Sequence, residues 1–405
     1  MEKFTGLIGI FTLLGIAVLL SNNREKINLR TVFSGLALQF ILAFFILGTS
    51  LGEPVFRALD NAITTLVGFS DAGSTFLFRS YISDTYHPSL ENFAFRTLPT
   101  IIFFSSLISV LYHFGIIQKI VKMFAKIFQK TMFISGTESL SVSGNIFLGQ
   151  TEAPLMVKPF VDKMTKSELM AVMTGGFATA AGGILAIYVS WLSDIPGIAG
   201  HLLTASVMSA PAALVMAKII YPEVEESNTM GDLNIEIEQT TTNAMEALGN
   251  GATTGLKLAA NIAAMLIAFL SLVAMINYLL LFLGTSMEAI FGFLFKPLAW
   301  TMGVPWSEAG VLGTLMGKKI VLTELIAYGD LQQVLAEGLI SERTAIIASY
   351  ALCGFANFGS IGIQLGGIGA MAPNRRGDLA RLVTKAMIGG ALASWLTATI
   401  AGLLL

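Results

Sequence analysis

The chain has 405 residues, is 54% hydrophobic and only 12% charged, and carries a formal net charge of −2 with a mean hydropathy of +0.75. That composition is that of a polytopic membrane protein, and it excludes a nucleic-acid binder, which needs a basic surface. The single cysteine, Cys353, excludes an intrachain disulfide; neither it nor His87, His113 and His201 shows metal-ligand spacing.

At about 20 apolar residues per span there is room for about eight to ten passes. Spans are predicted at 4–21, 31–50, 95–115, 168–192, 199–220, 253–283, 344–370 and 381–404. Arg24, Lys26 and Arg30 follow the first apolar run instead of preceding it, so that run is read as a span and not a signal peptide. The same charges place the first loop in the cytoplasm and the N-terminus outside. Residues 51–94 are then external or interfacial, with Gly52–Pro54 and His87–Pro88 as breakers. Lys119, Lys122, Lys126 and Lys130 recur opposite Ile120, Val121, Phe124, Ile127 and Phe128, the pattern of a cationic amphipathic helix on the inner leaflet. Glu223–Glu246 holds seven acidic residues and no basic one, and reads as a cytoplasmic linker between two halves. Arg375, Arg376 and Arg381 put the final loop in the cytoplasm, and eight passes return the C-terminus to the outside.

Residues 132–165 and 305–342 are too polar for simple spans, and the topology needs both ends of each on one side of the bilayer. Re-entrant hairpins satisfy that, because irregular backbone at membrane depth must face protein or a water-filled cavity. Each hairpin precedes a span that the glycines interrupt: Gly175-Gly176 and Gly182-Gly183 in the first half, Asn357–Ser360 and Gly366-Gly367 in the second. The halves run in opposite directions, which is the sequence pointer to a secondary transporter with its site at the midplane. The expected fold is an all-α polytopic membrane protein of eight transmembrane helices plus two opposed re-entrant hairpins, an inverted repeat of the elevator type. Its expected parts are an N-terminal group of spans with the amphipathic helix at 1–130, a first repeat at 131–222, the acidic linker at 223–250, a further span and interfacial segment at 251–304 and a second repeat at 305–405.

A carboxylate at bilayer depth is costly unless it meets a partner, water or an ion, so Glu152 and Glu324 read as functional. Around the first, Asn145, Gln150 and Thr151 add amides and a hydroxyl, Gly149 permits close backbone approach and Pro154 helps open the backbone. Asn145 and Gln150 have a competing reading as caps of the two half-helices. Thr179, with its hydroxyl, and the carbonyls of Thr179 and Ala180 are plausible cation ligands; a threonine bonding back to its own helix is nearly as good a reading. Glu324, Asn357 and Ser360 suit vicinal sugar hydroxyls, and Phe355 either stacks on a ring or packs in the core. Gly313–Lys319 imitates a phosphate loop but has the wrong spacing, and no protease, hydrolase or paired-cysteine motif occurs. Asp330, Glu337 and Glu342 read as solvated ends of the second hairpin.

Four motifs together resemble the concentrative nucleoside transporters: Gly149-Gln-Thr-Glu-Ala-Pro, the segment around Glu324, Leu352-Cys-Gly-Phe-Ala-Asn-Phe-Gly-Ser-Ile, and Ala372-Pro-Asn-Arg-Arg-Gly-Asp-Leu-Ala-Arg. The resemblance covers essentially the whole chain. It implies a bacterial inner-membrane protein with both termini periplasmic, assembled as a homotrimer in which a scaffold (1–130 and 251–304) holds a moving transport domain (the repeats 131–222 and 305–405), that imports nucleosides, uridine by preference and purine nucleosides besides. It implies that Gly149, Gln150, Thr151 and Glu152 meet the nucleobase, that Ile184 and Phe355 line the pocket, and that Glu324, Asn357 and Ser360 hold the ribose. It further implies a sodium site from Asn145, Leu148, Thr179 and Ala180, and no organic cofactor. Thr179 stands where a relative has serine, Ala180 where it has isoleucine, and Thr323 where it has asparagine. The expected function is therefore sodium-driven nucleoside import, with no enzymatic activity. Proton coupling through Glu152 and Glu324 is the alternative; a membrane enzyme lacks a nucleophile–base pair here, and a channel has no need of two opposed hairpins.

Overall fold

The computed structural model describes residues 2–50, 52–79, 90, 93–230 and 241–405. The described residues form sixteen α-helices with short 3₁₀ and π-helical turns between them. Five of the helical segments are long and apolar enough to cross a membrane, or six if one bent pair counts as a span.

The first helices, α1 (Glu2–Leu19) and α2 (Leu29–Gly48), fall where the apolar runs predict. Gly52–Pro54 falls, as expected, at the break after α2, and it opens a further helix, α3 (Gly52–Phe78), since proline is tolerated in a first turn, where its missing N–H has no partner to lose. His87 and Pro88 lie outside the described residues. Helix α4 (Leu98–His113) meets α5 (Ile116–Met132) at a 77° bend, taken at Gly115 in the left-handed region (φ +73°). On α5, Ile117, Val121, Ala125, Phe128 and Met132 are buried while Lys119, Lys122, Lys126 and Lys130 are exposed.

Next comes a helix–turn–helix unit: α6 (Gly136–Gly144), the turn 145–152 and a 3₁₀ stretch, Ala153–Lys163. Helices α7 (Lys166–Ala178), α8 (Gly182–Trp191) and α9 (Ile198–Ile220) follow. The second half repeats the order after α10 (Ala244–Leu281) and α11 (Met287–Thr301). A second unit, α12 (Trp306–Val321) with α13 (Glu324–Ala336), precedes α14 (Glu342–Leu352), α15 (Phe358–Met371) and α16 (Arg376–Leu404).

Both interrupted helices exist, and two of the four expected interruptions lie at the breaks: Gly182 opens α8 and Asn357 caps α15, whereas Gly175-Gly176 and Gly366-Gly367 lie inside helices. Helix α7 runs through Gly175-Gly176 and ends at Ala178; α14 ends at Leu352, and α15 runs through Gly366-Gly367. The physical breaks are capping events: Gly354 takes φ +99°, and the Asn357 side chain accepts from the Ser360 N–H to start α15. The glycines serve close approach instead. A Cβ on Gly176 would lie 2.7 Å from Gln364 Nε2, and one on Gly367 would lie 2.7 Å from Thr151 Cγ2.

Helices α9, α7–α8 and α16 make the core, with 89%, 89% and 83% of their apolar windows buried. By contrast α10 is 6% buried and presents Leu256, Ile267, Leu270, Met275 and Leu279 outward. At the base of the core, Glu138 and Glu168 close paired capping boxes with Ser135 and Thr165. Lys218 forms an ion pair with Glu138, and the start of the acidic linker docks here: Ser227 and Thr229 donate to Glu168 Oε1 at 2.6 and 2.5 Å. The linker's centre, 231–240, lies outside the described residues. Asp330 is not merely a solvated end, because Lys318 pairs with it at 2.7 Å and with Glu288 at 3.4 Å; Glu337 and Glu342 are exposed as expected.

Candidate functional site

Two helix breaks and two helix–turn–helix units converge on one polar cluster. In the first half, Asn145 caps α6 and is fully buried. Its Nδ2 donates to Ser141 O at 3.1 Å, and its Oδ1 is left with no hydrogen-bond partner among the described residues. Asn145 lies against the last turn of α7, since a Cβ on Gly175 would be 3.5 Å from Nδ2. That turn leads to Thr179, whose hydroxyl donates to Gly175 O at 3.0 Å, and to buried Ala180. The threonine thus bonds back to its own helix and still keeps hydroxyl lone pairs as acceptors. Leu148 is buried in the turn, and Gly182 N–H donates to Phe147 O at 3.2 Å, which joins the turn to the start of α8. An orphaned buried amide oxygen is a hard, neutral donor of the kind that suits a hard cation.

In the second half, Glu324 is the first residue of α13, which the Thr323 hydroxyl caps by accepting from Ile326 N–H. Glu324 is buried, and both its oxygens are engaged: the Tyr188 hydroxyl donates to Oε1 at 3.1 Å and Asn357 Nδ2 to Oε2 at 3.0 Å. The Ser360 N–H donates to Asn357 Oδ1 at 2.8 Å. Gln150 Nε2 donates to Ser360 Oγ at 3.2 Å, which crosses from one half to the other. Gln364 Nε2 donates to Gln150 Oε1 at 3.2 Å and to Met173 O at 3.0 Å. Gln150 of the first half and Glu324, Asn357 and Ser360 of the second therefore share one hydrogen-bonded chain that ends on Gln364.

Other predicted residues sit at its edge. Gly149 and Thr151 are partly buried, Thr151 against Gly367 of α15. Glu152 is exposed and its side chain makes no hydrogen bond to the described residues. Ile184 is buried one turn before Tyr188, and Phe355 is half-buried within the break.

Four participants escape the sequence reading. Tyr188 binds Glu324 and stacks on Tyr328, with ring centroids 3.9 Å apart and planes 20° apart. Tyr328 donates to Ser349 O at 2.5 Å. Gln364 orients Gln150. Lys319, fully buried, donates to Ala351 O and Cys353 O at 2.9 Å each and to Ser394 Oγ at 2.7 Å. Of these only Lys319 carries a sequence signal, a lysine among apolar residues; the tyrosines and Gln364 lie in apolar helices with no local pattern to single them out.

Buried polar groups at paired helix breaks within apolar helices define a multi-pass membrane transporter. Residues 201–402 match the C-terminal part of the Na+ dependent nucleoside transporters, residues 8–81 their N-terminal part, and residues 94–194 the nucleoside recognition family. The chain is 42% identical over its whole length to an uncharacterized transporter of Haemophilus influenzae, covering 98% of it. It is 40% identical over its whole length to the mouse sodium/nucleoside cotransporter 1, of which it spans 64%. The structure of CNTnw in an inward-facing substrate-bound state superposes with a TM-score of 0.92 at 40% identity, covering all of this chain and 98% of that one. The chain belongs to the Na+-dependent nucleoside transporter family, and its relatives are transporters and not enzymes.

Proposed function

We propose that this protein imports nucleosides, uridine and also purine nucleosides, by coupling each to the inward movement of sodium. The observation that carries the reading is the hydrogen-bonded chain Glu324–Asn357–Ser360–Gln150, which offers carboxylate, amide and hydroxyl groups at the meeting point of two helix breaks. Glu324, Asn357 and Ser360 hold the ribose hydroxyls; Gly149, Gln150, Thr151 and Glu152 face the base, with Ile184 and Phe355 lining the pocket. The exposed Glu152 is free to reach a ligand that arrives from solution.

Sodium occupies the space between Asn145 Oδ1, the Leu148 carbonyl, Thr179 and the Ala180 carbonyl. The orphaned Asn145 oxygen supports this site. Binding there ties the first helix–turn–helix unit to the α7 break and orders Gln150, five residues on. One sodium ion moving down about 100 mV gains about 2.3 kcal/mol and a tenfold gradient about 1.4 more, which sustains roughly 500-fold accumulation of a neutral solute.

The transport body consists of the two helix–turn–helix units, as re-entrant hairpins, with the broken spans (131–222 and 305–405). It moves as an elevator against a scaffold (1–130 and 251–304) within an eight-span chain. The apolar outward face of α10 supports contact with lipid or with neighbouring subunits of a homotrimer. The loop charges support an inner-membrane orientation with both termini periplasmic.

Labelled uridine uptake into proteoliposomes tests the reading, with an inward sodium gradient in one set and an inward proton gradient in another. Accumulation with sodium alone is the expected result. Accumulation with protons alone would move coupling to Glu152 or Glu324, and no uptake would remove uridine as the cargo.

A further inference from the structure

We infer that the Lys319 ammonium is the built-in cation of the second repeat: it holds the broken helix of that repeat where the first repeat holds a sodium ion. The inference rests on the sodium site proposed above.

An ammonium has three N–H donors and no acceptor. All three of those of Lys319 are used, on Ala351 O, Cys353 O and Ser394 Oγ. Ser394 in turn donates to Ala391 O at 3.0 Å, so it accepts from the lysine. No carboxylate lies within ion-pair distance of Lys319 among the described residues; its acceptors are all neutral oxygens, as those of a bound metal cation would be. Two of them are backbone carbonyls at the end of α14, where orphaned acceptors and the helix dipole favour positive charge.

The two halves place this cation alike. Setting Thr151-Glu152 over Thr323-Glu324 puts Lys319 over Phe147, the neighbour of Leu148, and Ala351 over Thr179. Thr179 is the cap of α7 and Cys353 the cap of α14. In each half, then, the helix–turn–helix unit reaches the same point of the broken span. In the first half the Asn145 amide lies against Gly175 of that span with its oxygen unpartnered, and the proposed site supplies it with a cation, whereas Lys319 brings the cation itself.

The consequence concerns coupling. Lys319 travels with the protein in both directions, so it contributes no net charge per cycle. The break carrying Phe355 and Asn357 is permanently braced, and only the first repeat waits for an ion. One sodium per nucleoside follows.

The test uses proteoliposomes of the full-length protein and records charge and uridine together. The expected parent value is one positive charge per uridine. In Lys319→Met the uridine KM rises about tenfold or more, the effect of removing a charged donor from buried acceptors. Thermal protection by sodium without nucleoside keeps the parent half-saturation, which a general loss of structure would not leave intact. Should Lys319→Met fail to fold, Ser394→Ala removes a single acceptor, and its KM is expected to rise about threefold or more. A parent KM in Lys319→Met, or in Ser394→Ala if it alone folds, overturns the inference; so do two charges per uridine in the parent. A parent without sodium-driven uptake overturns the proposed function, and the inference falls with it. Uptake by a parent that Lys319→Met matches overturns the inference alone.

Discussion

Tyr188 and Glu324 come from opposite halves of the chain, and the Tyr188 hydroxyl donates to Glu324 Oε1 at 3.1 Å. With Asn357 on the other oxygen, the carboxylate bridges α8 of the first half to the break before α15 in the second. In the proposed site a ribose hydroxyl would meet a carboxylate already oriented from both sides, so little ordering would remain to oppose binding.

Tyr188→Phe removes the phenol hydroxyl while keeping the stack on Tyr328. One oxygen of a buried carboxylate then lacks its donor, a loss of about 1–3 kcal/mol. Uridine KM is expected to rise about tenfold while the melting temperature moves little. An unchanged KM would place Tyr188 outside the site.

Glu324→Gln keeps shape and removes an acceptor. The amide introduced by this substitution cannot accept from Tyr188 and Asn357 as well as from a sugar hydroxyl, because it has one acceptor oxygen where the carboxylate has two. Uridine uptake is expected to fall to background with protein abundance in the membrane retained. Robust uptake by this variant would exclude Glu324 from the sugar site.

Asn145→Ala deletes the orphaned oxygen. The sodium concentration that gives half-maximal uptake is expected to rise about tenfold, as for one lost cation ligand, and uridine affinity at saturating sodium to change less. Sodium titration of uptake reads both quantities. Parent-like sodium dependence would argue that the ion sits elsewhere.

Lys218→Met tests stability apart from transport. Lys218 is buried, pairs with Glu138 and donates to Ser167 Oγ at 2.8 Å. Removing one partner of a buried pair leaves an uncompensated charge and costs about 3–5 kcal/mol. Thermal unfolding of the purified protein should show a clearly lower midpoint than the parent, and Glu138→Gln combined with it should recover part of the loss. A midpoint equal to the parent's would show that water reaches Glu138.

The apolar runs, the lysine stripe of α5 and the polar words around Glu152 and Glu324 were legible because each is a local pattern. A membrane span needs consecutive apolar residues, an interfacial helix needs one charged face, and a carboxylate among apolar residues is conspicuous anywhere. Asn145, Gln150, Glu324, Asn357 and Ser360 could be singled out on those grounds. Asn357–Ser360 marks a real break, but Gly175-Gly176 and Gly366-Gly367 do not, because glycine pairs look like interruptions in one dimension. In the folded chain they are points of close approach, while Gly354 and the Asn357 cap do the breaking.

Amino-acid order by itself thus determined which segments are apolar enough for the bilayer and which short polar stretches stand out within them. Tertiary structure alone decided that Gln150 meets Ser360 and Gln364, that Tyr188 meets Glu324, and that Lys319 ends on the carbonyls of Ala351 and Cys353. The reason is physical: a buried polar group must find its partner wherever packing brings one. These partners lie between 32 and 214 positions away, far beyond the reach of any helical or turn periodicity.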